Sequence, residues 1–212
     1  MATLDFQILT ENDLESAIYC LESAFLSGEP MFKALSLTNE QFSSGVKVIC
    51  QRVVKQGLSV IAKDSSSGEV VGCAIGKDFM TDMLDGTEAV SPKLYPVFQL
   101  LETLDENYQA QHSVQPGELL HFLLLGVIKP FANQGIGRIL ALELHEVAKT
   151  HDYQGVIMEA TGPISKHIFL NRLNYQEIDA ISYQEFEYEG QKVFSSITEC
   201  DSCQLLIHSF LD

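Results

Sequence analysis

Val127-Ile128-Lys129-Pro130-Phe131-Ala132-Asn133-Gln134-Gly135-Ile136-Gly137-Arg138 joins two kinds of sequence. Before it, Leu119 to Val127 is dense in large apolar residues, the composition of a buried strand. After it, Ile136, Ile139, Leu140, Leu144, Val147 and Ala148 recur at helical spacing. Glycines at a helix start let backbone N–H groups approach an anion closely, and the helix dipole adds partial positive charge. The segment reads as a phosphate cradle. A glycine-rich turn that only redirects the chain is written with the same letters, so the surroundings must decide.

Working outward, Leu4 to Ile8 alternates apolar and polar residues as a half-buried strand does. Thr10 then precedes Leu14, Ala17, Ile18, Leu21 and Phe25 at helical spacing. That helix must stop near Ser27-Gly28-Glu29-Pro30, which places Glu29 on a loop. Asn39 to Gln56 reads as a second helix closed by Gly57. Leu58 to Ala62 and Glu69 to Ile75 flank turn residues and predict an antiparallel hairpin. Lys77 to Pro92 is irregular, and a helix from Pro92 to about Ala110 carries Leu94, Val97, Phe98, Leu101 and Leu104. Beyond the glycine loop, Gly155 to Glu159 is a strand, Pro163 to Arg172 a helix, and Ile178 to Glu187 and Val193 to Leu211 closing strands around Tyr188-Glu189-Gly190.

A strand, Gly-x-Gly, a helix and a strand ending in Glu159 imitate a dinucleotide-binding unit. The third glycine of that fingerprint is Leu140 here, and an extended loop separates the strand from Gly135, so an NAD-dependent oxidoreductase is the weaker reading. No Gly-Lys-Ser/Thr follows the glycines and no Gly-x-Ser-x-Gly occurs, which excludes a Walker A loop and a nucleophile elbow.

The 212 residues, 46% hydrophobic and 20% charged, describe one globular domain over 1–212, with no repeat or linker. Thirteen Lys and Arg against 29 Asp and Glu leave a net charge of −16, with no basic cluster to displace counterions, so DNA and RNA are poor candidates and no nucleic-acid partner is expected. An acidic surface suits a cationic amine, and equally serves solubility. Five cysteines are an odd, scattered set that fits a reducing compartment. Cys200-x-x-Cys203 lacks further ligands, and no metal is expected. The N-terminus has no signal-peptide pattern, and the longest apolar run is about half the ~20 residues of a membrane span. A cytoplasmic protein without membrane contact is expected; oligomeric state is not legible in these residues.

Ala132-Asn133-Gln134-Gly135-Ile136-Gly137 occupies the place of the Arg/Gln-x-x-Gly-x-Gly/Ala signature of the GCN5-related N-acetyltransferase (GNAT) superfamily, and the element order resembles that superfamily along nearly the whole chain. Ser27-Gly28-Glu29-Pro30-Met31 and the segment Ser182 to Phe194 resemble the arylalkylamine (dopamine-type) branch. The resemblance implies an α/β fold with a mixed, largely antiparallel sheet flanked by helices and splayed at its centre. It implies transfer of an acetyl group from acetyl-CoA to a small primary amine, without a metal, by direct attack in a ternary complex. Asn133, Gln134, Gly135, Ile136, Gly137 and Arg138 would hold the pyrophosphate, and N–H groups near Leu125, Gly126 and Val127 would stabilise the oxyanion. Ala132 replaces the signature's Arg or Gln, so one pyrophosphate contact is absent.

A protonated amine must lose a proton before it attacks a thioester. Glu29 is the first candidate base, carried by the family match at Glu-Pro. His121, on the strand leading to the cradle, is the second; a lone histidine in an apolar strand is otherwise a hydrogen-bonded core residue. Many GNAT enzymes carry a tyrosine acid on the helix after the second splayed strand, where this chain has Phe169-Leu170. Thr161 and Ser165 fall where serines matter in the insect branch, and both also read as turn and helix-start residues. Phe25, Phe32 and Phe79 are candidates to line an aromatic acceptor pocket. Arg138, His167 and Arg172 are candidate phosphate contacts, while Asp152, Glu185, Glu187 and Glu189 read as surface charges. A non-catalytic acyl-CoA-binding module is the competing function.

Overall fold

The computed structural model describes residues 3–25, 28–82 and 90–211; Ser27, and 83–89 of the segment expected to be irregular before Pro92, lie outside them. Among the described residues, seven strands form one sheet in the order β1-β2-β3-β4-β5-β7-β6. These are β1 Leu4–Ile8, β2 Val60–Asp64, β3 Val70–Asp78, β4 Leu119–Val127, β5 Gly155–Ala160, β6 Gln176–Ser182 and β7 Ser202–Ser209. Every neighbouring pair is antiparallel except β4 with β5, so the expected mixed sheet is present and a doubly wound parallel sheet is not. Six helices accompany it: α1 Leu14–Phe25, α2 Pro30–Ala34, α3 Asn39–Val53, α4 Tyr95–Gln111, α5 Ile136–Thr150 and α6 Pro163–Arg172. None is long and apolar enough to cross a membrane.

Residue chemistry accounts for the ends of these elements. Thr38 accepts from Gln41 N–H and Gln41 reciprocates to Thr38 N–H, a capping box that starts α3. Gly57, at φ 68°, ends its last turn in the left-handed region that glycine enters freely. α1 packs against β3 and β4, and α5 covers β2 to β5 from the other face. Gly126 permits the close approach of α1, since a Cβ there would lie 3.0 Å from Ala24 Cβ and 3.1 Å from Leu21 Cδ2.

The closing strands differ from expectation. Ile178 to Glu187 and Val193 to Leu211 do not form one long hairpin: β6 ends at Ser182, β7 begins at Ser202, and 183–201 is a folded-over connection with a single bridge between Tyr188 and Gln191. Its aromatic residues imitated strand composition. Tyr183, Phe186 and Phe194 are instead buried against one another, with ring centroids 5.5–5.9 Å apart. The short helix α2 was also not legible, because five residues carry too little periodicity.

Two irregularities in the sheet make the site. β4 and β5 pair only from Leu119↔Gly155 to His121↔Ile157; beyond that point they separate, as expected, and their facing edges line a wedge. The β3–β4 register shifts between Ile75↔Leu124 and Gly76↔Phe122, leaving Leu123 as an extra residue on β4. A bulge re-aims the side chains on either side of it. Gly126 faces α1, Leu120 faces Leu144 of α5, and the shift puts His121 on the same face as α1 and α4.

Candidate active site

A cavity of about 1610 Å³ runs from the glycine loop, through the wedge, to the β4–β5 junction. At the outer end, 129–131 form one 3-10 turn, Asn133 and Gly135 have φ of 60° and 80°, and α5 begins at Ile136. Nothing lies within 4 Å of a Cβ built at Gly135, so glycine is there for the backbone angle rather than for space. The first N–H groups of α5 have no partner within the helix and open into the cavity. Arg138 is exposed beside them, and Ala132 offers no side-chain donor. Asn133 to Arg138 thus gather at the outer end of the cavity, an arrangement in which backbone donors outnumber side-chain ones. Leu125, Gly126 and Val127 line the wedge; their antiparallel pairing with β3 uses one edge of the strand and leaves the other toward β5.

The second feature joins residues far apart in sequence. Glu29 is the N-cap of α2 and accepts Met31 N–H at 3.3 Å. The Thr161 hydroxyl, at the end of β5, donates to the other Glu29 oxygen at 2.7 Å. Gly162 allows this meeting, because a Cβ there would already stand 3.3 Å from Pro30 Cδ. Thr161 is itself fixed, its carbonyl accepting from the Tyr183 hydroxyl at 2.6 Å. Burial pushes the Glu29 carboxyl up to about 6, against the opposing pull of these hydrogen bonds and of Lys33. Ser165 also lines the cavity, and its hydroxyl donates to Gly162 O at 2.9 Å and accepts from Gly162 N–H, so it secures the start of α6. No tyrosine lines the cavity among the described residues; Tyr175 is buried with its hydroxyl on His145, 2.7 Å away.

Phe25, Phe32 and Phe42 form an aromatic cluster with centroids 4.7–5.9 Å apart on the wall beside Glu29. Phe79 lines the same cavity apart from that cluster, edge-on to His121 at 5.4 Å. His167 and Arg172 also reach the cavity. Asp152, Glu185, Glu187 and Glu189 are exposed, as expected. All five cysteines are free, with no zinc ligand set around Cys200 and Cys203 among the described residues.

The inner end holds a cluster that sequence reading largely missed. His121 Nε2 is 2.9 Å from both oxygens of Glu159, and His121 Nδ1 is 3.9 Å from Asp105 Oδ2 of α4. Burial pushes the imidazole down to about 4, so the short contact joins a neutral ring to the Glu159 carboxyl group and is not an ion pair. Burial and then the Glu159 charge push the Asp105 carboxyl up to about 8; burial raises Glu159 also. Lys77, buried nearby, spends its three N–H donors on the carbonyls of Asp78, Phe79 and Thr81. Asp105 had one legible signal, its position four residues after Leu101 on the apolar stripe of α4. Glu29 and Thr161 thus belong to one cluster, and His121 to another.

The fold is the one found in solved N-acetyltransferases. The C-terminal condensation domain of Ebony, solved with beta-alanyl-dopamine, superposes with a TM-score of 0.89 at 16% identity, covering 99% of this chain and 100% of that one. Arylalkylamine N-acetyltransferase 2 from Aedes aegypti matches at 0.77 with 19% identity over 98% and 99% of the two chains. A polyamine N-acetyltransferase of Drosophila melanogaster, which forms N-acetylagmatine, matches at 0.79 with 19% identity over 98% and 100%. No protein-family model and no curated protein sequence matches the chain. The likeness is therefore one of fold, held by packing and topology rather than by shared residues.

Proposed function

We propose that this chain is an N-acyltransferase that moves an acyl group from a CoA thioester to a small primary amine in a ternary complex, acetyl being the group its sequence resemblance implies. One observation carries the reading: a single cavity links an anion cradle at the start of α5, the opened edges of β4 and β5, and a carboxyl, Glu29, whose pKa is raised toward neutrality. The fold's occurrence in enzymes that acetylate arylalkylamines and polyamines, and in a domain that holds an amide of dopamine, supports it.

In this mechanism the N–H groups of residues 133–138 and Arg138 bind the pyrophosphate, and the β4 edge at Leu125 to Val127 orients the thioester. A β4 N–H donates to the carbonyl oxygen as negative charge develops on it. Glu29, its Oε2 held by Thr161, takes the proton from the attacking ammonium, directly or through one water. The C–N bond forms and the C–S bond breaks; the second proton of the attacking nitrogen passes to the departing thiolate, and the proton held by Glu29 is released to solvent, which closes the count. Thiolate is a good leaving group, so the missing tyrosine does not forbid the step. Thr161 is a positioning residue in this scheme, and Ser165 a helix-start residue rather than an acid. The aromatic wall of Phe25, Phe32 and Phe42 supports an arylalkylamine acceptor. A cytoplasmic site of action belongs to the same reading and rests on the free thiols.

The competing function, a binding module without chemistry, draws on Ala132 and the missing tyrosine. Mixing the protein with acetyl-CoA and phenethylamine, tyramine or agmatine, and following free thiol and acetylated amine together, separates the two. Thiol and amide released in equal amounts support transfer; saturable CoA binding with neither product supports the module.

A further inference from the structure

Burial raises the Glu29 carboxyl, and the Thr161 hydroxyl is the strongest of the contacts that oppose it, ahead of Met31 N–H and Lys33. Whatever fixes that hydroxyl therefore sets how readily Glu29 takes up and gives back a proton. Thr161 is β-branched, and its few side-chain rotamers tie the direction of the hydroxyl to the orientation of its own peptide. That peptide lies past the paired part of β5, whose last partners across β7 are Ala160 and Gln204. The Thr161 carbonyl takes its donors from side chains of the 183–201 connection: the Tyr183 hydroxyl at 2.6 Å and the Cys200 thiol at 3.4 Å. A thiol is a weak donor, so the phenol carries the anchor.

Tyr183 is held at both ends. Its N–H donates to Asp201 O at 3.0 Å, one step beyond the Ser182↔Ser202 pair that closes the β6–β7 ladder. Its ring is fully buried and edge-on to Phe194, with centroids 5.9 Å apart. Because β7 lies between β5 and β6, a hydroxyl that starts at the end of β6 and meets the end of β5 passes over the start of β7. Phe186 and Phe194 fill the neighbouring space with plain rings, and a phenylalanine would serve packing at 183 equally well. A buried hydroxyl costs stability unless it is partnered, and here the partner is the residue that holds the base. Burial also keeps the phenol protonated, so it donates at every pH where Glu29 titrates. The connection has a second tie to this region, Lys33 of α2 with Glu199 at 3.4 Å, but both side chains are exposed and the pair holds little.

We propose that Tyr183 is a positioning residue for acyl transfer: it fixes the Thr161 peptide, and through it the hydroxyl that holds Glu29. The inference rests on the acyl-transfer reading and extends its machinery to a side chain that does not line the cavity. Tyr183 keeps its proton throughout and exchanges nothing with substrate.

The test compares wild type with Tyr183→Phe, Thr161→Val and the double variant. Tyr183→Phe keeps the buried ring and with it the packing. Carbon-13 NMR of glutamate carboxyls, with the Glu29 resonance assigned by its loss in Glu29→Gln, reads the titration midpoint of Glu29 without any turnover. Transfer from acetyl-CoA to phenethylamine, tyramine or agmatine gives kcat, KM and the acid limb of the rate profile. Tyr183→Phe should move the Glu29 midpoint upward, toward its position in Thr161→Val, and lower kcat by about twofold to tenfold with KM for acetyl-CoA unchanged. The double variant should be no slower than Thr161→Val, because the path is already cut. Phe186→Leu loosens the same connection without touching the hydroxyl; it should lower Tm and leave the Glu29 midpoint in place. A midpoint in Tyr183→Phe equal to that of wild type overturns the inference, as do losses in kcat that multiply in the double variant. An equal upward shift in Phe186→Leu also overturns it, in favour of general loosening. The expected midpoints with no transfer to any of the three amines support the link from Tyr183 to Glu29 and overturn the acyl-transfer reading alone.

Discussion

Replacing Glu29 by Gln separates what this carboxyl does in chemistry from what it does in the fold. The carboxyl titrates at about 6 against an ordinary 4.5, chiefly because burial disfavours its charge. A carboxyl raised in this way stabilises the fold fully below about 4.5, and that contribution is lost as pH rises through about 6. Between pH 5 and pH 8 the wild type therefore gives up about 1 kcal/mol that the non-titrating glutamine keeps. For a chain of this length that is a relative gain in Tm of about 2–4 °C for the variant. A constant loss of ~0.5–1 kcal/mol offsets it at every pH, because glutamine has one acceptor oxygen where Glu29 serves two donors, Met31 N–H and the Thr161 hydroxyl. Activity moves the other way, with kcat/KM falling by ~10²–10⁴ on loss of the base. Transfer assays and thermal melts at intervals from pH 5 to pH 8 read both effects. The ratio of wild-type to variant activity cancels the amine's own titration and should rise with unit slope below about 6 before levelling. A ratio flat across that range, or a variant within threefold of wild type, would refute Glu29 as the base.

Other outcomes follow from the same geometry. Thr161→Val removes a hydrogen bond that favours the Glu29 carboxylate, so the acid limb of the rate profile should move to higher pH, with kcat down by about threefold to tenfold. Gly135→Ala forces a Cβ into φ 80°, costing ~1–2 kcal/mol in melts and raising KM for acetyl-CoA more than it lowers kcat. Ala132→Arg restores a guanidinium beside the cradle and should tighten CoA binding by up to about tenfold in calorimetry, an effect that shrinks as salt is raised. Gly162→Ala presses on Pro30 and should lower kcat through the Glu29–Thr161 contact while leaving CoA affinity unchanged.

The features legible in the sequence are those written in neighbouring residues. The strand before the glycine loop, the apolar stripe of α5, the turn at Gly57 and the acid before Pro30 each follow from local periodicity or backbone restriction, and the element order that they set is enough to imply the sheet. The aromatic connection at 183–201 misled for the same reason: strand-like composition is local, whereas strand pairing requires a partner edge, and β7 takes the edges of both β5 and β6. The chemistry depends on longer paths. Glu29 acquires its raised pKa and its Thr161 donor from a turn 132 residues away, through a glycine small enough to admit Pro30. Asp105, His121 and Glu159 come together because one extra residue in β4 turns His121 toward α4, and because β4 and β5 part just beyond it. A hydrogen-bond register and the burial of a charge are properties of surfaces brought together by folding, so no window of sequence carries them.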